Sequence, residues 1–159
     1  MKKTLKIIAS ILLITSIAAC GGGGSTSTPA APSWETTSGS DAITKLQVTD
    51  TTVGTGATAA AGSVVTVNYT GWLYQAGAAN SEGPQFDTTS GRSPFSFQLG
   101  AGQVIAGWDQ GLVGMKVGGT RTLVIPSVMG YGSAGYGSIP GGAALVFSVQ
   151  LVSIAAPAQ

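Results

Sequence analysis

The sequence predicts an α+β domain in which a curved antiparallel β-sheet is wrapped around one short α-helix. Three observations lead there. Two long stretches, S-V-V-T-V-N-Y-T-G-W-L at 63–73 and A-L-V-F-S-V-Q-L-V at 144–152, alternate apolar and polar residues with the period of half-buried strands. A single stretch, 104–115, places Val104, Ile105, Trp108, Leu112 and Met115 at the three- and four-residue spacing of a helix face. The composition, 25 glycines with only 8 % charged residues, suits a turn-rich β body and speaks against a coiled coil or a nucleic-acid binder.

Taken in chain order, the first element is an address. Lys2, Lys3 and Lys6 precede the apolar run I-I-A-S-I-L-L-I-T-S-I-A-A, the charged and hydrophobic regions of a secretory signal over 1–19. The run is too short for a membrane span. Its end, I-A-A-C, resembles the lipobox of bacterial lipoproteins, which implies cleavage before Cys20, lipidation of that cysteine and a lipid-anchored location in the bacterial cell envelope. Cys20 is the only cysteine, so an intramolecular disulfide is excluded. Without 1–19 the chain keeps four basic and six acidic residues, a formal charge of −2, and no basic patch for nucleic acid. Residues 20–40 are Gly-, Ser-, Thr- and Pro-rich, the composition of a flexible tether, with Trp34 as its one bulky apolar residue.

The body is expected over 41–154, followed by a tail at 155–159. Thr44–Val48 is a weak strand candidate. In the strand at 63–73, Val65, Val67 and Tyr69 share one face and Thr66, Asn68 and Thr70 the other. Residues 94–99 and 120–125 are further strands, and at 144–152 Leu145, Phe147, Val149 and Leu151 point one way. The helix at 104–115 contains Gly107, Gly111 and Gly114, each costing about 0.5–1 kcal/mol against alanine in a helix interior. Their expected use is close approach of the helix to its surroundings, which leaves room for Trp108.

Several functions are excluded or disfavoured. The chain has no histidine, which removes Ser-His and Cys-His catalysis and histidine metal sites. Glu35, Asp41, Asp50, Glu82, Asp87 and Asp109 are scattered singly, without the clustering that a calcium or magnesium site needs, so no metal is expected. Gly130 to Gly135 fits G-x-G-x-x-G, but Pro140 and the following glycines forbid the helix that would hold a pyrophosphate, so this is a loop. The sequon Asn68-Tyr69-Thr70 sits inside a strand and is read as chance.

Five stretches occur in the order found in one family: V-N-Y-T-G at 67–71, F-D-T-T at 86–89, P-F-S-F-Q-L-G at 94–100, V-I-A-G-W-D-Q-G-L-V-G-M-K-V-G-G at 104–119, and I-P-S-V-M-G-Y-G with A-L-V-F at 125–132 and 144–147. In these the chain resembles the FKBP-type peptidyl-prolyl cis-trans isomerases. The resemblance implies an apolar cavity between sheet and helix that takes proline-containing polypeptides, with macrolides as inhibitors, no cofactor and a monomeric domain. It implies a wall of Tyr69, Phe86, Phe95, Val104, Ile105, Ile139 and Phe147 over a floor of Trp108. The implied catalytic groups are the backbone N–H of Ile105, the Tyr131 hydroxyl and the Asp87 carboxylate; whether the usual arginine partner of Asp87 is Arg92 is left open, since the stretch between Asp87 and Phe95 is one residue shorter than the family's common form. Two other readings stand beside it: a tethered chaperone or proline-peptide binding module with little isomerase activity, and a β-rich surface adhesin or structural domain that uses the fold as a spacer, against which Phe86, Asp87, Trp108 and Tyr131 together speak. Departures from the family pattern are a longer segment at 73–85, Gly130 before Tyr131, a glycine-rich loop at 133–142 and Tyr136 in place of a polar residue. They are expected to alter the substrate-facing rim more than the floor.

Overall fold

Residues 37–155 are described by a computed structural model. The expected signal, Cys20, Trp34, most of the tether and the end of the tail lie outside the described residues. Six strands and one α-helix follow in order: β1 (Gln47–Thr52), β2 (Val64–Tyr74), β3 (Glu82–Thr88), β4 (Phe95–Gln98), α1 (Ala106–Gly111), β5 (Thr120–Ile125) and β6 (Leu145–Ala155). The antiparallel sheet runs β1-β5-β6-β2-β3, and β4 also pairs with β2.

β2 is the spine. One side pairs with β6 from Val64 opposite Ala155 to Leu73 opposite Leu145. The other side is shared: β4 pairs with Val64 to Val67, and β3 pairs with Thr70 to Tyr74. The edge is therefore interrupted at 89–94, and Phe86, Asp87 and Phe95 flank the gap. Alternation sorts the faces. Val65, Val67, Leu145, Phe147, Val149 and Leu151 lie in the core with Leu123 and Ile125 of β5, and Trp108, Leu112 and Met115 close it from the helix side. Thr66, Asn68, Thr70 and Ser148 stay part-exposed, as the period-2 pattern requires.

The helix is shorter than expected, because its two ends are not helical. Ile105 is the extended residue before it, at φ −60° and ψ 147°, and Gly114 has φ +79°, a left-handed conformation that glycine adopts without strain. Gly107 and Gly111 serve close approach: a Cβ at 107 would lie 2.5 Å from Ile125 Cγ2, and one at 111 would lie 2.7 Å from Leu123 Cδ2. Gly114 has no neighbour of this kind, so its glycine is a requirement of the backbone rather than of packing.

Other boundaries moved for physical reasons. The weak strand expected at 44–48 forms at Gln47–Thr52, the exposed edge paired with β5. Ser38 and Ser40 are already buried, and the Ala76 N–H donates to the Ser38 carbonyl at 2.8 Å, so packing on the body begins ahead of residue 41. The longer segment at 73–85 extends the β2–β3 hairpin, with a 3-10 turn at Ala79–Ser81.

Candidate active site

Sheet and helix enclose a cavity of about 420 Å³ lined by Tyr69, Phe86, Asp87, Phe95, Gly102, Gln103, Val104, Ile105, Trp108, Tyr131 and Phe147. Every element contributes for a local reason. β2 turns Tyr69 inward by alternation, and β6 does the same for Phe147. The interruption between β3 and β4 brings Phe86 and Asp87 from one side and Phe95 from the other. α1 supplies Trp108, and the non-helical residues just before it supply Val104 and Ile105.

Trp108, 4 % exposed, is the centre of the aromatic cluster. Its ring meets Tyr69 edge-on at 4.9 Å and Phe147 at 5.2 Å between centroids, the T-shaped geometry that aromatic quadrupoles favour. Phe86 meets Phe147 in the same way at 5.5 Å. Such a lining presents largely aromatic, apolar surface.

The polar groups are few and of two kinds. Asp87 is tied down: its carboxylate accepts the Tyr69 hydroxyl, the Thr88 N–H at 2.9 Å and Arg92 Nη2 at 2.5 Å. Burial alone would raise its pKa, but these bonds outweigh it and hold the carboxyl below the usual range. Burial, helped by the Asp87 carboxylate, pushes the Tyr69 hydroxyl up to about 12. Tyr131 is raised too, by burial first and then by the charge of Asp87. Asp87 is thus a fixed anion and both tyrosines are neutral at physiological pH.

The second kind is unsatisfied. Among the described residues the Ile105 N–H and the Tyr131 hydroxyl have no hydrogen-bond partner, and neither has the buried Trp108 Nε1. Such free donors can donate to the carbonyl of a bound molecule, and for the buried Trp108 Nε1 pairing would also remove the penalty of about 1–3 kcal/mol for an unpaired buried donor.

Of the site residues expected from sequence, Asp87, Tyr131, Ile105, Tyr69, Phe86, Phe95, Val104, Trp108 and Phe147 meet at this cavity. Ile139 does not. It is buried in the core at 6 % exposure, its backbone bridged to Tyr136, and is absent from the cavity lining. The pair Asp87–Arg92 is present. None of residues 73–85 reaches the cavity, so the long hairpin changes the rim less than expected, while Tyr136 touches it only through Tyr131, on which it stacks at 5.4 Å. Gly102 and Gln103 were not expected. The loop that carries them is held by Asp109, whose carboxylate accepts the Gly100 and Gly102 N–H groups, each at 2.9 Å. An acid nine residues after a glycine-rich turn was the available signal.

The fold and cavity thus give one aromatic-lined site with few polar groups, and the chain can be compared with known proteins. The family described as FKBP-type peptidyl-prolyl cis-trans isomerase matches residues 56–152. The chain is 46 % identical over 111 residues to an FK506-binding protein of Neisseria meningitidis serogroup A, covering 69 % of this chain and 95 % of that protein. It is 45 % identical over 109 residues to FK506-binding protein 4 of Gibberella zeae, covering 69 % of this chain but only 21 % of that longer protein. The crystal structure of FkpA from Escherichia coli superposes with a TM-score of 0.62 at 36 % identity, covering 72 % of this chain and 50 % of FkpA. The chain belongs to the FKBP-type peptidyl-prolyl cis-trans isomerase family.

Proposed function

We propose that the chain accelerates cis-trans rotation of Xaa-Pro bonds in exported polypeptides, held at the envelope by a lipid on Cys20. The observation that carries the reading is the combination at one cavity of an aromatic lining with unpaired donors at Ile105 and Tyr131 and a fixed carboxylate at Asp87.

Rotation about an Xaa-Pro bond faces a barrier of about 18–20 kcal/mol, because amide resonance must be broken. The twisted amide is less polar than the planar one. A cavity that strips water from the amide therefore disfavours the planar ground state relative to the twist. The prolyl ring packs on Trp108 between Tyr69, Phe86 and Phe147, and the Ile105 N–H donates to a substrate carbonyl. The Tyr131 hydroxyl is a second donor, and Asp87 fixes charge at the rim through Tyr69 and Arg92. No bond is made or cut. A thousandfold to millionfold acceleration asks for about 4–8 kcal/mol, within reach of desolvation, orientation and a few hydrogen bonds.

The experiment is a protease-coupled assay of a Leu-Pro peptide with the full chain in detergent. Turnover well above the uncatalysed rate supports the reading; tight peptide binding without turnover leaves a tethered binding module instead. The tether is tested separately. Cys20→Ala should remain an uncleaved, unlipidated precursor, and fatty-acid label on that variant would contradict it.

A further inference from the structure

We infer that Arg121 and Asp50, neither of which lines the cavity, are positioning residues for the site. They hold α1 at the height at which Trp108 and Ile105 meet a substrate. The inference rests on the isomerase reading above.

Arg121 lies on the inner face of β5 with its side chain 9 % exposed, and Asp50 lies on β1. Nε donates to Asp50 Oδ1 at 2.6 Å and Nη2 to Oδ2 at 3.0 Å, the two-pronged geometry that only a guanidinium offers a carboxylate. Nη1 turns the other way. It donates to the Gly111 carbonyl at 2.8 Å and the Val113 carbonyl at 3.1 Å. These carbonyls stand at the C-terminal end of α1, where an α-helix leaves acceptors open and carries partial negative charge.

One buried cation thus joins an edge strand, a central strand and the end of the helix. The helix needs such a hold. It is six residues long, has no side-chain cap at its start, and meets the sheet through Gly107 and Gly111, which supply no side chain to set the depth of contact. At its other end Asp109 holds the 100–102 loop. With both ends fixed, Trp108 and the Ile105 N–H have one height relative to Tyr69 and Phe147. A displacement of about 1 Å at a reacting group can cost up to about a hundredfold in rate.

The test uses the full chain in detergent, at a temperature where circular dichroism shows each variant fully folded, with two readouts. These are kcat/KM on the Leu-Pro peptide and the ¹⁵N–¹H resonances of the Trp108 indole and the Ile105 amide. Arg121→Met should lower kcat/KM about tenfold and move both resonances. Arg121→Lys, which keeps the charge but loses the planar fork, should recover part of both, and Asp50→Asn should lie nearer wild type. If Arg121→Met does not fold, Arg121→Lys carries the same readouts. A folded variant with wild-type kcat/KM and unmoved resonances would reduce the pair to stability alone and overturn the inference. If the wild-type chain proves inactive, the isomerase reading fails by itself, and the two resonances decide whether the clamp sets the helix.

Discussion

Two concavities of nearly equal size lie on either side of β2 and share Tyr69, yet they are chemically opposite. The aromatic cavity, about 420 Å³, has free donors at Ile105 and Tyr131. The other, about 440 Å³, is a groove lined by Asn68, Thr70, Thr88, Thr89, Ser90, Ser148 and Gln150 with Arg92 at its rim. Its threonines are paired internally. Thr70 and Thr88 share a hydrogen bond at 2.9 Å, and the hydroxyls of Thr88 and Thr89 donate to the Tyr69 carbonyl at 3.1 and 3.3 Å. Volume alone therefore does not mark a site. A surface that can desolvate a peptide while leaving donors unpaired gains from binding, whereas an open groove of hydroxyls and amides presents little apolar surface and gains little.

The comparison breaks most readily at the aromatic lining. Trp108→Ala or Phe86→Ala should lower kcat/KM roughly a hundredfold, about 2.7 kcal/mol of transition-state stabilisation, in the peptide assay. Losses no larger than those from changes in the groove would make the two concavities equivalent. Asp87→Asn should cost less, about tenfold, since shape is kept and a fixed charge lost. It should also lower the titration of Tyr69, because the carboxylate contributes to the shift to about 12; tyrosinate absorbance against pH checks this. Tyr131→Phe removes one of several donors and should cost a few-fold, about 1 kcal/mol. Thr70→Val or Ser148→Ala, on the groove side, should leave kcat/KM within about twofold of wild type.

The fold was legible where the pattern is strong. Residues 120–125 form β5 as expected, and the alternation at 63–73 and 144–152 gives β2 and β6 with the expected faces inward. β3 had no such signature. Its residues, E-G-P-Q-F-D-T, include Gly83 and Pro84, tolerable in an edge strand but unreadable as one from local propensity. The periodicity at 104–115 overstated the helix because Val104 and Ile105 precede it in non-helical backbone, Val104 in a bend and Ile105 extended, and hydropathy does not distinguish these from helix. The aromatic wall was legible through the five family stretches. Gly102 and Gln103 were not, because the one signal, an acid nine residues after a glycine-rich turn, marks the hydrogen bonds to Asp109 but not that the loop they hold reaches the cavity. Arg121 carries no local mark of its role either: its partners are Asp50, distant in sequence, and two backbone carbonyls that no side-chain pattern encodes.

The central claim is that rotation is accelerated by desolvation and positioning, with no proton exchanged. The signs of the titrations make this testable by the dependence of kcat/KM on pH. Asp87 is held below the usual carboxylate range and so stays charged above it, while Tyr69 at about 12 and Tyr131, raised as well, stay neutral through the physiological range. No group at the cavity changes charge between about pH 6 and 8.5. The profile over that window is predicted to be flat within about twofold. A steep rise or fall with the slope of a single titrating group would contradict the account and assign the reaction to acid-base assistance.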